Sequence, residues 1–123
     1  MGGPVRRPGQ GSKWIRRDKR LAIYLRDGMA CAYCGAVFED GVGLSLDHLI
    51  CSSKGGSNKA SNLVTSCISC NSRRRDMPLE DWLISQFGED AASVARFITE
   101  HIAKDLKPYR VEAKAILARR RKA

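Results

Sequence analysis

The stretch CAYCGAVFEDGVGLSLDHLICSSKGGSNKASNLVTSCISCN, residues 31–71, decides how this chain folds. It opens on Cys31-Ala32-Tyr33-Cys34 and closes on Cys67-Ile68-Ser69-Cys70, two pairs of identical spacing, followed by Asn71. One such pair alone fits a redox dithiol or two buried thiols. Two together place four thiolates on two tight knuckles, the ligand set of a closed, tetrahedral structural Zn²⁺ site. Cys51 makes the cysteine count odd, and no signal-peptide core is found, which argues against a secreted disulfide framework. Between Cys34 and Cys67 lie 32 residues, more than a compact zinc ribbon or finger needs, so the insert must house something further.

Within the insert, Gly41-Val42-Gly43 leads into Leu44-Ser45-Leu46-Asp47-His48, a strand with an Asp-His pair at its end. Ser52 to Lys59 is a Gly/Ser/Asn loop, Asn62-Leu63-Val64 offers a short second strand, and a helix is expected from near Cys67–Asn71 through Arg73, Arg74 and Arg75. The order is strand, loop, strand, helix. Successive residues of a regular strand point to opposite faces, so for Asp47 and His48 to serve one site a strand end or kink is expected there.

Working outward, Ser12 is a candidate N-cap for a helix from about Lys13 to Asp27, with Trp14, Leu21, Ala22 and Leu25 on one side and Gly28 to end it. Residues 1–12 are read as a disordered basic arm, 13–80 as the main domain and 81–123 as a helical extension packed on it. Pro78 suits the first turn of a helix through Trp82 and Phe87, closed by Gly88. A longer helix capped by Asp90 follows, with Val94, Ala95, Ile98 and Ile102 as its apolar face, until Pro108 interrupts; Tyr109–Lys122 is a last helix. Trp14, Trp82 and Phe87 are expected to fill core. His101 is read as a surface or packed histidine and Cys51 as a loop residue.

The formal net charge is +9, gathered in patches near residues 6–20, 73–75 and 119–122. Such an excess points to a polyanion, nucleic acid or anionic membrane. No apolar run approaches the roughly 20 residues needed to span a bilayer, so no membrane partner and a soluble, cytoplasmic location are expected.

Leu46-Asp47-His48-Leu49-Ile50, then Lys54-Gly55-Gly56-Ser57-Asn58, Asn62-Leu63-Val64 and Cys67-x-x-Cys70-Asn71, with the lead-in Arg26-Asp27-Gly28 and Tyr33-Cys34-Gly35, closely resemble the HNH endonuclease family. The resemblance covers about residues 13–80. It implies an α+β fold: a small ββα-metal core stapled by a four-cysteine zinc site and flanked by an N-terminal helix and C-terminal helices. It also implies that His48 is the general base, that Asp47 and Asn71 are ligands of a catalytic divalent metal, and that Asn62 ties down the loop between the strands. The expected activity is DNA phosphodiester hydrolysis leaving 5′-phosphate and 3′-hydroxyl ends. Chemistry supports these roles. Histidine can accept a proton from water near neutral pH, and two hard oxygen ligands leave most of an octahedral shell open for water and phosphate. Mg²⁺ or Mn²⁺ is the expected catalytic ion, with Ni²⁺ or Zn²⁺ as alternatives, and Zn²⁺ the structural one. Arg74 is the first candidate for a phosphate contact, with Arg73 and Arg75 beside it. The resemblance to small stand-alone phage-type proteins points to genome packaging, with a terminase as partner.

Two other readings fit parts of the sequence. A zinc-stabilised nucleic-acid-binding module without turnover accounts for the charge but leaves Asp47, His48, Asn62 and Asn71 unused. An iron–sulfur or rubredoxin-like carrier accounts for four cysteines, but the second knuckle ends in Asn71 rather than glycine.

Overall fold

The computed structural model describes residues 15–122. The expected basic arm, the Ser12 cap, Lys13 and Trp14 lie outside the described residues. The fold is α+β, in the order α1 (Arg17–Arg26), β1 (Leu44–His48), β2 (Leu63–Cys67), α2 (Ile68–Arg74), α3 (Leu79–Phe87), α4 (Ala91–Ile102) and α5 (Lys107–Lys122). The two strands pair antiparallel, with Leu44 opposite Cys67 and His48 opposite Leu63.

An isolated two-stranded hairpin is marginal in water and must bury its faces. Here every residue of β2 is buried. On one side Leu63 packs with Ile15 and Ile23, the latter on α1. On the other, Val64 joins Cys31, Tyr33, Cys67, Cys70, Trp82, Leu83 and Ile98. The cysteine knuckles and helices α3 and α4 therefore share one core. Trp82 is fully buried and meets Tyr33 and Phe87 edge-on, at 5.8 and 6.2 Å between ring centroids; truncating such a residue costs about 3–5 kcal/mol.

Several boundaries differ from the sequence reading. The second strand runs three residues beyond Val64 to Cys67, because pairing with β1 continues through Leu44. β1 ends at His48, where the Asp-His pair calls for an end or kink. Helix α2 stops at Arg74, and Arg75 takes a positive φ of 55° instead of continuing it. Asp90 flanks α4 without a side-chain capping bond. Pro108 falls in the first turn of α5 instead of before it, a place where its missing N–H costs nothing.

Helix α5 runs alongside α1, and Ala22 and Ala113, one on each, are fully buried. No helix among the described residues is long and apolar enough to cross a membrane.

Candidate metal centre and active site

The Sγ atoms of Cys31, Cys34, Cys67 and Cys70 all lie within 4.8 Å of one another, and Cys34 Sγ and Cys67 Sγ are 3.8 Å apart. Tetrahedral ligation with Zn–S bonds of about 2.3 Å requires sulfurs roughly 3.8 Å apart. The four cysteines can thus hold a metal ion such as zinc. Backbone N–H groups already point at two of the sulfurs. Tyr33 and Cys34 donate to Cys31 Sγ, each at 3.4 Å, and Cys70 donates to Cys67 Sγ at 3.3 Å. Arg73 adds a guanidinium donor to Cys70 Sγ at 3.5 Å. Burial, then the charge of the neighbouring cysteine Cys31, pushes the Cys70 thiol well above its ordinary range; a bound divalent cation is the natural counterweight.

Asn71 follows Cys70 directly and faces β1, its Nδ2 donating to Ser45 Oγ at 2.7 Å and to the Leu46 carbonyl at 3.3 Å. With Nδ2 committed, Oδ1 is its available oxygen. Asp47 is 7% exposed, and its Oδ2 accepts from Tyr33 Oη at 2.5 Å and from Arg74 Nη1 at 2.7 Å. No donor among the described residues takes Asp47 Oδ1. Burial and then the Asp47 charge push the Tyr33 phenol far above its ordinary pKa, so it stays a donor at any working pH. Ser45 and Asp47 alternate onto the same face of β1, so α2 covers both of them with Asn71 and Arg74.

His48 lies on the other face of β1. Its Nε2 is 2.7 Å from Asn58 Oδ1. A carboxamide oxygen can only accept, so Nε2 carries the proton and Nδ1 keeps the lone pair. Lys19 Nζ in turn donates to the Asn58 carbonyl at 2.5 Å, tying α1 to the same loop. Asn58 stands in the quoted loop motif with no role assigned by sequence. Its position ten residues after His48, across a loop that must fold back between paired strands, is the available signal.

Asn62 bridges that loop. Its Oδ1 accepts from Ile50 N at 2.9 Å, while Nδ2 donates to the carbonyls of Ile50 at 3.1 Å and Ser57 at 2.8 Å. Gly56 lies against this bridge so closely that a Cβ would collide with the Ile50 carbonyl oxygen.

Arg74, expected from the sequence to contact phosphate, turns inward and is engaged within the protein. Arg74 is 1% exposed, and besides Asp47 it donates to the carbonyls of His48, Leu49 and Met77 at 2.7, 2.8 and 3.0 Å. Burial would lower its pKa, but the Asp47 carboxylate raises it on balance. Spacing carries the signal for this: Arg74 is four residues after Cys70, which must face inward, and i, i+4 residues share a helix face. Arg73 and Arg75 are both exposed, and Arg73 also donates to Ser69 Oγ at 2.7 Å. Cys51 is half-buried, lies outside the sulfur cluster and approaches Arg74 Nη2 at 4.0 Å. His101 stacks on Phe97 at 3.8 Å, with Nδ1 2.8 Å from the Phe97 carbonyl.

The lead-in Arg26-Asp27 forms a second buried ion pair. Arg26 Nε and Nη2 grip Asp27 Oδ1 and Oδ2 at 2.8 and 3.1 Å, and Thr65 N donates to Oδ2 at 2.9 Å. Arg26 also donates to the carbonyls of Ala60 and Leu63, at 3.0 and 2.7 Å. It locks the end of α1 to β2 and to the loop that precedes it.

Residues 31–81 match the family model described as HNH endonuclease. No curated protein and no solved structure matches the chain.

Proposed function

From the match of residues 31–81 to the HNH endonuclease family, we propose that the protein is a divalent-metal-dependent DNA endonuclease in which His48 is the general base. The observation that carries this reading is the His48–Asn58 pair, which holds the imidazole by Nε2 and supports Nδ1 as the proton acceptor. Asp47 Oδ1 and Asn71 Oδ1 are the oxygens that would hold the catalytic ion. They are hard donors free of other partners among the described residues, and two of them suit Mg²⁺ or Mn²⁺, which keep several waters. When bound, that ion supplies positive charge to stabilise the phosphorane-like transition state and the departing oxygen.

His48 Nδ1 takes a proton from a water as that water's oxygen bonds to the scissile phosphorus. The phosphorus–O3′ bond breaks, and the 3′ oxygen is protonated from solvent. The products carry 5′-phosphate and 3′-hydroxyl ends. Asn62 keeps the loop closed over Ile50 and Ser57, which holds Asn58 in reach of His48. The four-cysteine site, filled by Zn²⁺, anchors the start of α2 and with it Asn71. Exposure at and just beyond the end of α2 supports Arg73 and Arg75 as phosphate contacts. The resemblance to phage-type HNH proteins supports a setting in genome packaging beside a terminase.

Supercoiled plasmid DNA with Mg²⁺ or Mn²⁺ tests the proposal. The wild type is expected to nick or linearise it, and His48→Ala, with unchanged zinc content and circular dichroism, to lose cleavage. A folded His48→Ala protein that cuts as fast as wild type overturns the assignment. Salt-sensitive DNA binding without cleavage under any divalent ion supports the binding-module reading instead.

A further inference from the structure

A cleft of about 700 Å³ opens between α1 and α5, both outside the family-matched residues. Among the described residues, five cations line it, Arg16, Arg17, Arg110, Lys114 and Arg120, against one carboxylate, that of Asp18. That carboxylate is already engaged by Arg110 Nη2 at 2.9 Å. Arg110 Nε is buried with no hydrogen-bond partner among the described residues. A buried donor without an acceptor is costly, and clustered like charges repel, so the cleft is a surface short of anionic acceptors. Its positive field reaches Lys19, whose pKa is lowered first by burial and then by the charge of Arg110.

The cleft also has a defined place relative to the chemistry. Lys19 is held on Asn58, and Asn58 on His48. Arg16 is three residues from Lys19, about 4.5 Å along the chain at helical rise, and successive phosphates of one DNA strand advance about 3.4 Å along the duplex axis. Arg16 at the cleft and Lys19 at the Asn58–His48 pair therefore belong to the same end of α1.

We propose that the α1–α5 cleft is a second nucleic-acid site, which takes the sugar–phosphate backbone of DNA flanking the cleaved bond, without reading its sequence. This rests on the endonuclease reading, but its test reads binding instead of cleavage. In a His48→Ala background, the affinity for a labelled duplex is measured by fluorescence anisotropy from low to physiological salt. Arg17→Gln/Lys114→Gln, both at exposed positions of the cleft helices, is compared with Arg96→Gln/Lys104→Gln, exposed on and just after α4. Each phosphate contact contributes about 0.9 to the slope of log affinity against log salt. The cleft pair is expected to lower that slope by about 2 and to weaken binding roughly tenfold or more near 0.15 M salt, while the α4 pair moves neither. An unchanged slope in the cleft pair, or an equal loss in both pairs, overturns the proposal. A wild type that fails to cut plasmid strikes the nuclease reading but leaves this comparison intact.

Discussion

Two buried arginine–aspartate pairs flank the hairpin, and they differ in how they use the carboxylate. In Arg26–Asp27 both side chains are 0% exposed, and both carboxylate oxygens are taken, by Arg26 and by the Thr65 amide. In Arg74–Asp47 the exposures are 1% and 8%, and Oδ2 accepts from both Arg74 and Tyr33, while Oδ1 has no donor among the described residues. The first pair is closed and joins α1 to β2. The second joins α2 to β1 but keeps one oxygen in hand. The same two residue types thus serve as a closed fastener in one place and, in the other, leave a carboxylate oxygen free for the ligand role proposed above. Buried ion pairs gain little over apolar packing, but removing one partner strands the other charge.

The comparison breaks or sharpens with three substitutions. Asp27→Ala should have the largest effect on stability, about 3–5 kcal/mol, because it leaves Arg26 buried without its counterion. Urea unfolding of zinc-loaded protein measures this, and the fraction that remains folded should still cut DNA. Asp47→Asn keeps an acceptor for Arg74 and Tyr33 and should cost less, about 2 kcal/mol, yet lose metal-dependent cleavage while the fold survives. If Asp47→Asn were as unstable as Asp27→Ala and its folded fraction still active, the two pairs would be the same kind of fastener.

The third arginine–aspartate pair among the described residues, Arg110–Asp18, is the half-buried counterpart, with side chains 39% and 15% exposed. Asp18→Asn should cost at most about 1 kcal/mol, and less at high salt. The hydrogen bond from Arg110 holds Asp18 below the ordinary carboxylate pKa. Its contribution is therefore present above about pH 4, the unfolded value, and disappears as pH falls through the folded one. Unfolding midpoints measured from neutral to acid pH, wild type against Asp18→Asn, should converge at the acid end.

What can be read from the sequence follows the same division. The cysteine knuckles are legible because metal ligation demands a fixed local spacing, and the strand that ends on Asp47 and His48 because Gly41-Val42-Gly43 precedes its alternating residues. Most helices are legible from apolar spacing and from Pro78 and Gly88. The ion pairs are not. Arg26 and Asp27 stand in the lead-in motif with no role assigned, and no partner is assigned to Arg74, since burial of a charge depends on a partner from elsewhere: α1 reaches Thr65, and α2 reaches Asp47, only after the hairpin has formed. Arg74 reads as a phosphate contact because it lies three residues after Asn71 on the same helix, although its distance from Cys70 points inward. Asn58 escapes a role because its partner is reached only through the folded loop.

The register of β1 carries a further consequence. Asp47 faces α2 and His48 faces the loop because each step along a strand reverses the side. A shift of one residue against β2 would exchange those faces while leaving composition, charge and both knuckles as they are. Change by insertion or deletion is thus barred from five residues of β1, from Leu44 to His48. In the loop it is limited by what Gly56 and Asn62 can close. Single-residue length change is in this respect a harsher mutation here than most substitutions, because it rewires which residues can meet without altering any of them.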